Sequence, residues 1–150
     1  MRFPSGMKAL ADYVHGKGLK FGLYTARGTG TCQSRPGSRD HELIDAKTYC
    51  DWGIDYIKID ACQGAGDINT SWSRFHEGLA DCYRRTGRYI VQSVESCSSP
   101  DSCGQWIGSV ANLWRTGGDV QATWHSILGN IHKNNGMARV ANATASNFNE

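Results

Sequence analysis

The sequence has no apolar run near the ~20 residues that span a bilayer, no Cys-x-x-Cys, and no Cys/His cluster at zinc-ligand spacing. The Gly-x-Gly-x-x-Gly fingerprint of a dinucleotide fold is also missing. After the first strand-like run, Gly28 and Gly30 lead instead into Thr31-Cys32 and then Pro36. Charge of one sign is scarce. The net charge is +2, and the run Arg84-Arg85 with Arg88 is too short for a nucleic-acid surface. No leader is visible: Met1-Arg2-Phe3-Pro4 passes directly into an amphipathic pattern, and Asn147-Phe148-Asn149-Glu150 stops in mid-phrase. The chain is therefore expected to be the interior of a longer one, and the missing leader carries no information about export. Spanning helices, dinucleotide chemistry and nucleic-acid binding are not expected.

What is present is ordinary in bulk and informative in detail. A chain of 150 residues, 39% hydrophobic and 20% charged, suffices for one domain with a core. Six cysteines (Cys32, Cys50, Cys62, Cys82, Cys97 and Cys103) form an even set, which favours disulfides over metal and an oxidising compartment. Cys50 and Cys82 fall on consecutive helical patterns and are candidates for one bridge, with Cys97 and Cys103 as the remainder. The sequence leaves the pairing of these four open. Asn69-Thr70-Ser71 and Asn142-Ala143-Thr144 are glycosylation triplets.

Along the chain, helical and strand patterns alternate. Helices are expected at 5–16, with Ser5 as N-cap and Gly16 as stop, and at 40–52, 71–85 and 120–132. Strands are expected at 19–25, 54–60, 88–95, 110–115 and 138–142. Such alternation gives a parallel sheet covered by helices, either a doubly wound open sheet or part of a (β/α)8 barrel. The missing phosphate fingerprint disfavours the first. A closed barrel typically needs about 250 residues, so the expectation is an incomplete (β/α)8 TIM barrel.

Working groups of parallel α/β folds sit at the C-terminal strand ends. In Tyr56-Ile57-Lys58-Ile59-Asp60 the alternation places Tyr56, Lys58 and Asp60 on one face. A cation and a carboxylate between branched apolar residues are costly to bury without purpose. Lys58 would favour the ionised form of Asp60, though a purely structural ion pair reads the same. Glu95, ending the next strand, fits a loop cap as well as a functional acid. In Trp114-Arg115-Thr116-Gly117-Gly118-Asp119 a strand breaks at two glycines and ends in an acid, which could equally cap the helix expected near Val120. Two carboxylates across a barrel mouth suit glycoside hydrolysis.

Four phrases carry a family resemblance: Arg2-Phe3-Pro4-Ser5-Gly6-Met7-Lys8, Lys17-Gly18-Leu19-Lys20-Phe21-Gly22-Leu23-Tyr24, Asp51-Trp52-Gly53-Ile54-Asp55-Tyr56 with Lys58-Ile59-Asp60, and Trp114-Arg115-Thr116 with Gly118-Asp119. Together, and over essentially the whole chain, they resemble glycoside hydrolase family 27. That family comprises α-galactosidases, α-N-acetylgalactosaminidases and relatives acting on other glycosides. The resemblance implies that residues 1–150 are part of one catalytic barrel, roughly strands three to seven, with the N-terminal strands and C-terminal end missing.

It further implies retaining hydrolysis of terminal α-D-galactosides, with Asp60 as nucleophile and Asp119 as general acid/base, and without metal or organic cofactor. Tyr24, Lys58, Glu95 and Arg115 match sugar-binding positions, Glu95 on the 2-hydroxyl side. Cys32 and Cys62 match a disulfide beside the nucleophile. A carbohydrate partner is implied, with neither nucleic acid nor membrane, and a secreted or lysosomal location. The chain departs from the family at Val94-Glu95-Ser96, where Cys-Glu-Trp is frequent, and at Thr25-Ala26-Arg27 after Tyr24. The alternatives are another specificity within the family, such as α-N-acetylgalactosaminidase, β-L-arabinopyranosidase or α-glucan-releasing activity, or a non-catalytic carbohydrate-binding relative.

Overall fold

A computed structural model of the chain describes residues 3–95, 106–137 and 148–149. It divides into two compact units, Met1–Gln92 and Ser93–Glu150. The first contains α1 (Gly6–His15), β1 (Gly22–Ala26), α2 (Glu42–Trp52), β2 (Tyr56–Asp60), α3 (Ile68–Thr86) and the start of β3 (Val91–Val94). The second contains the end of β3, α4 (Ile107–Val110), β4 (Leu113–Trp114), α5 (Trp124–Gly136) and β5 (Phe148–Asn149).

In the first unit the boundaries follow local chemistry. Ser5 precedes α1 as expected, but its side chain makes no capping bond. The turn is closed instead by Gly6 N–H to Phe3 O at 3.1 Å, with Gly6 at φ +83°, where only glycine is unstrained. Helix α2 ends at Gly53 in the left-handed conformation, its N–H bonded back to Tyr49 O and Cys50 O. Helix α3 starts at Ile68 rather than the expected Ser71, because Asp67 accepts the Thr70 N–H at 2.8 Å.

Phe75, Leu79 and Cys82 form the buried stripe of α3, as its periodicity predicts, with Trp72 added. Gly78 lets α2 and α3 approach closely, since a Cβ there would lie 2.6 Å from the Ala46 Cβ. The Cys50–Cys82 disulfide ties the same two helices. Under them β1 and β2 pair in parallel, from Gly22 opposite Tyr56 to Ala26 opposite Asp60. Ile57 and Ile59 are fully buried while Tyr56 and Lys58 are half-buried, which is the alternation expected of this strand. Val91 N–H then bonds Asp55 O at 2.9 Å.

Asp55, opening β2, is an anchor the sequence reading did not single out. Its carboxylate receives His15 Nε2 at 2.7 Å, Phe21 N–H at 2.9 Å and Lys20 Nζ at 3.2 Å, with Arg88 at 3.5 Å. Burial pushes its pKa up, but the bonds from Phe21, His15 and Lys20 outweigh burial and hold it at about 2.

In the second unit β3 pairs in parallel with β4 (Ser93 opposite Leu113) and β4 with β5 (Leu113 opposite Phe148). Two expectations are corrected here. Val110 ends the helical turn α4 rather than opening a strand, and β4 is confined to Leu113-Trp114. Helix α5 starts at Trp124 rather than Val120, because Thr123 accepts the Ser126 N–H at 3.3 Å and fixes the first turn there. The expected strand at 138–142 lies outside the described residues. Hydrogen-bonded neighbours follow chain order, β1-β2-β3-β4-β5, without the order reversal of a doubly wound sheet. This is part of a (β/α)8 barrel.

Candidate active site

Asp60 is the last residue of β2 and only 7% exposed. An anion so placed needs hydrogen-bond donors. Its Oδ1 accepts the Cys62 N–H at 3.1 Å. The Cys32–Cys62 disulfide is formed as the resemblance implied, and the Cys32 sulfur lies 3.4 Å from the same Oδ1. A disulfide sulfur carries no proton, so that approach is a contact and not a hydrogen bond. The Tyr24 hydroxyl, at the middle of β1, donates to this sulfur at 3.4 Å. Tyr24, Cys32, Cys62 and Asp60 are thus gathered at the C-terminal side of β1 and β2. Lys58 is half-buried on the Asp60 face of its strand.

The loops carrying these residues are clasped by groups that sequence reasoning missed. Arg27, buried at the end of β1, donates to Ala65 O at 3.2 Å and Gly66 O at 2.8 Å. Burial pulls its pKa down, and Asp67 opposes this. Gln63 Nε2 bonds Thr31 O at 3.2 Å. The backbones approach so closely that a Cβ on Gly28 would lie 2.2 Å from Cys62 O. The one available signal was position, since Arg27 and Gly28 directly follow a strand.

Donor atoms of Cys32, Asp60 and Cys62 lie within 4.8 Å of one another. With both sulfurs joined to each other, neither offers the thiolate that makes cysteine a metal ligand. The group is a bridged clasp around a carboxylate.

The second unit holds the other acidic candidates. Arg115 follows β4 directly, and its guanidinium binds three groups. Nη1 donates to Glu95 Oε1 at 2.9 Å and Nε to Gly117 O at 2.8 Å, while Nη2 donates to Asp119 Oδ1. The Asp119 bond, more than the Glu95 charge, raises the Arg115 pKa against its partial burial. Glu95 and Arg115 are each about one-fifth exposed, at 23% and 21% of their side chains, whereas the Asp119 side chain is 81% exposed.

Asp119 does not cap a helix, because Thr123 does. Its turn is held from α5, where Asn130 Nδ2 donates to Gly118 O at 3.1 Å and Asn134 Oδ1 accepts from the Thr116 hydroxyl at 3.2 Å. Asn130 and Asn134 were not foreseen, although their spacing puts both on one helix face. The expected Cys97–Cys103 pairing lies outside the described residues.

An α-galactosidase of Arabidopsis thaliana is 46% identical over 126 residues, 83% of this chain and 31% of its own length. Alpha-galactosidase A of Cellvibrio japonicus is 47% identical over 124 residues, 82% of this chain and 30% of its own. The chain thus spans about a third of the curated relatives it matches. The crystal structure of α-galactosidase I from Mortierella vinacea superposes with a TM-score of 0.62 at 36% identity, covering 79% of this chain and 30% of that one. The family described as Alpha galactosidase A, the second melibiase family, matches residues 1–149, and the chain belongs to it, within glycoside hydrolase family 27.

Proposed function

We propose that the protein containing this chain hydrolyses terminal α-D-galactosides with retention of configuration, residues 1–150 forming part of its single catalytic barrel. Asp60 attacks the anomeric carbon while Asp119 protonates the departing glycosidic oxygen. In the second step Asp119 takes a proton from water, which displaces Asp60 and restores the original configuration. Lys58, Glu95, Arg115 and Tyr24 receive the sugar, and the chemistry needs no organic cofactor or metal.

The observation that carries this reading is the setting of Asp60. A buried carboxylate ends a barrel strand, with Oδ1 held by a backbone N–H from a disulfide-tied loop. Holding Oδ1 from the loop sets the direction in which the carboxylate attacks, and orientation of this kind supplies several kcal/mol of catalysis, about 7 or more in favourable cases. The two described disulfides favour an oxidising compartment, secreted or lysosomal.

The test is Asp60→Ala in the intact enzyme. Turnover of an aryl α-galactoside should fall by roughly three orders of magnitude or more. Added azide should restore it and yield the β-galactosyl azide, identified by NMR. Activity near that of the wild type, or rescue with retained configuration, would remove Asp60 from the nucleophile role.

A further inference from the structure

We infer that Arg115, beyond any contact with sugar, is the positioning residue for Asp119, holding Oδ1 so that Oδ2 is the atom that carries and returns the proton. This rests on Asp119 being the acid/base. The backbone beneath Asp119 is held from α5 as well as by Arg115 Nε on Gly117 O. Asn130 bonds Gly118 O, Asn134 bonds Thr116, and Gly117 sits so close to α5 that a Cβ would lie 2.7 Å from Asn130 Oδ1. What those contacts leave free is the carboxylate itself, on a side chain 81% exposed. Among the described residues its one hydrogen-bond partner is Arg115 Nη2.

Arg115 can impose an orientation because it is itself fixed, by Glu95 Oε1 through Nη1 and by Gly117 O through Nε. A guanidinium has five N–H groups in a rigid plane. Three hold Asp119, Glu95 and Gly117, and two stay available to a hydroxyl. Sugar contact and positioning are therefore compatible. The oxygen that accepts a charge-assisted bond from a guanidinium is the poorer proton acceptor of the pair. The proton thus sits on Oδ2 and passes to the glycosidic oxygen as the carbon–oxygen bond breaks. The resulting carboxylate already faces the cation. In the second step Oδ2 takes back a proton from the attacking water.

Positioning of a proton donor and binding of a sugar differ in what they do to leaving groups. The experiment measures kcat/KM, which reports only the first step, on dinitrophenyl and phenyl α-galactosides with wild-type, Asp119→Ala and Arg115→Lys forms of the intact enzyme. Asp119→Ala is the control on the underlying reading, with a loss on the phenyl substrate exceeding that on the dinitrophenyl one by about a hundredfold.

Arg115→Lys keeps the charge but loses the planar fork, and is expected to shift the same ratio by about tenfold. Equal losses on both substrates, carried by KM, would make Arg115 a sugar ligand only and overturn the inference while leaving Asp119 in place. If Asp119→Ala itself shows equal losses, the acid/base reading fails first and the inference with it. Should Arg115→Lys not fold, Glu95→Gln removes the charge of one of the two other groups that anchor the guanidinium. A shifted ratio there supports positioning, and an unshifted one opposes it.

Discussion

Asp60 and Asp119 both end strand-derived segments, yet the chain holds them in opposite ways. Asp60 is 7% exposed and bound by backbone from a loop clasped by a disulfide, Arg27 and Gln63. Asp119 has a side chain 81% exposed and is bound by one guanidinium. The difference follows from their proposed tasks. A nucleophile acts as an anion of fixed direction, so burial with a dedicated donor suits it. An acid/base must exchange its proton every turnover, so it needs access to water and one oxygen left open. The cation beside Asp119 supplies order without enclosure.

The sharpest break of this comparison is to cut each described disulfide separately. Cys32–Cys62 and Cys50–Cys82 span 30 and 32 residues, so chain entropy assigns each a similar stability contribution, about 3–4 kcal/mol. Replacing either pair by serines should lower Tm comparably. Activity should not follow in parallel. The Cys50–Cys82 bridge ties the C-terminal parts of α2 and α3, which lead into the starts of β2 and β3 rather than their ends, and its loss should leave kcat near normal at temperatures where the protein stays folded. The Cys32–Cys62 bridge holds the loop whose N–H binds Asp60, and its loss should lower kcat at the same temperatures. If both variants lose activity only in step with stability, the clasp around Asp60 is structural alone.

Much of this was legible in the sequence because it depends on period and punctuation. The α3 stripe of Phe75, Leu79 and Cys82, the left-handed glycines that end α2 at Gly53 and α3 at Gly87, and the alternation of Ile57 and Ile59 are all local signals. The strand ends that carry Asp60 and Asp119 followed from them, and the family phrases named the residues. What could not be read was reach. Arg27 bonds across to Ala65 and Gly66, Asp55 gathers His15, Lys20 and Arg88, and Asn130 returns to Gly118. No local pattern encodes such contacts, which arise when parallel strands bring distant loops together. The misplaced start of α5 had a different cause. Asp119 and Thr123 are both eligible N-caps, and the guanidinium of Arg115 claims the first.

The opposite end of β2 offers a graded test. Asp55 has its pKa lowered from 3.8 to about 2 by its folded partners, despite burial. A depressed carboxyl stabilises the fold above its unfolded pKa, and that contribution vanishes as pH falls through the folded value. The size implied is about 2 kcal/mol at neutral pH. Asp55→Asn should therefore be less stable than wild type by about that amount at pH 6. The gap should narrow from about pH 4 downward and nearly close by about pH 2, as read by urea unfolding. The dependence on leaving group proposed for Asp119 should be unchanged. A gap independent of pH would mean that Asp55 contributes shape rather than charge.

The smallest effect separates the two acceptors that compete for the start of α5. Thr123 takes the Ser126 N–H at 3.3 Å and is the cap. Asp119 stands four residues earlier, bound to Arg115 and largely in water. Thr123→Ala removes an N-cap acceptor and should lower stability by about 1 kcal/mol. The ratio of dinitrophenyl to phenyl galactoside rates should not change, because Asn130 and Asn134 sit beyond the first turn and still hold Gly118 and Thr116. Asp119→Ala should do the reverse. It breaks an exposed ion pair worth about 0–1 kcal/mol, so stability stays close to wild type while the ratio rises by about a hundredfold. Thermal melts and paired rate measurements on the two variants decide the matter. If instead Asp119→Ala destabilises and Thr123→Ala is silent, then Asp119 is the cap and the exposed acid has no catalytic task.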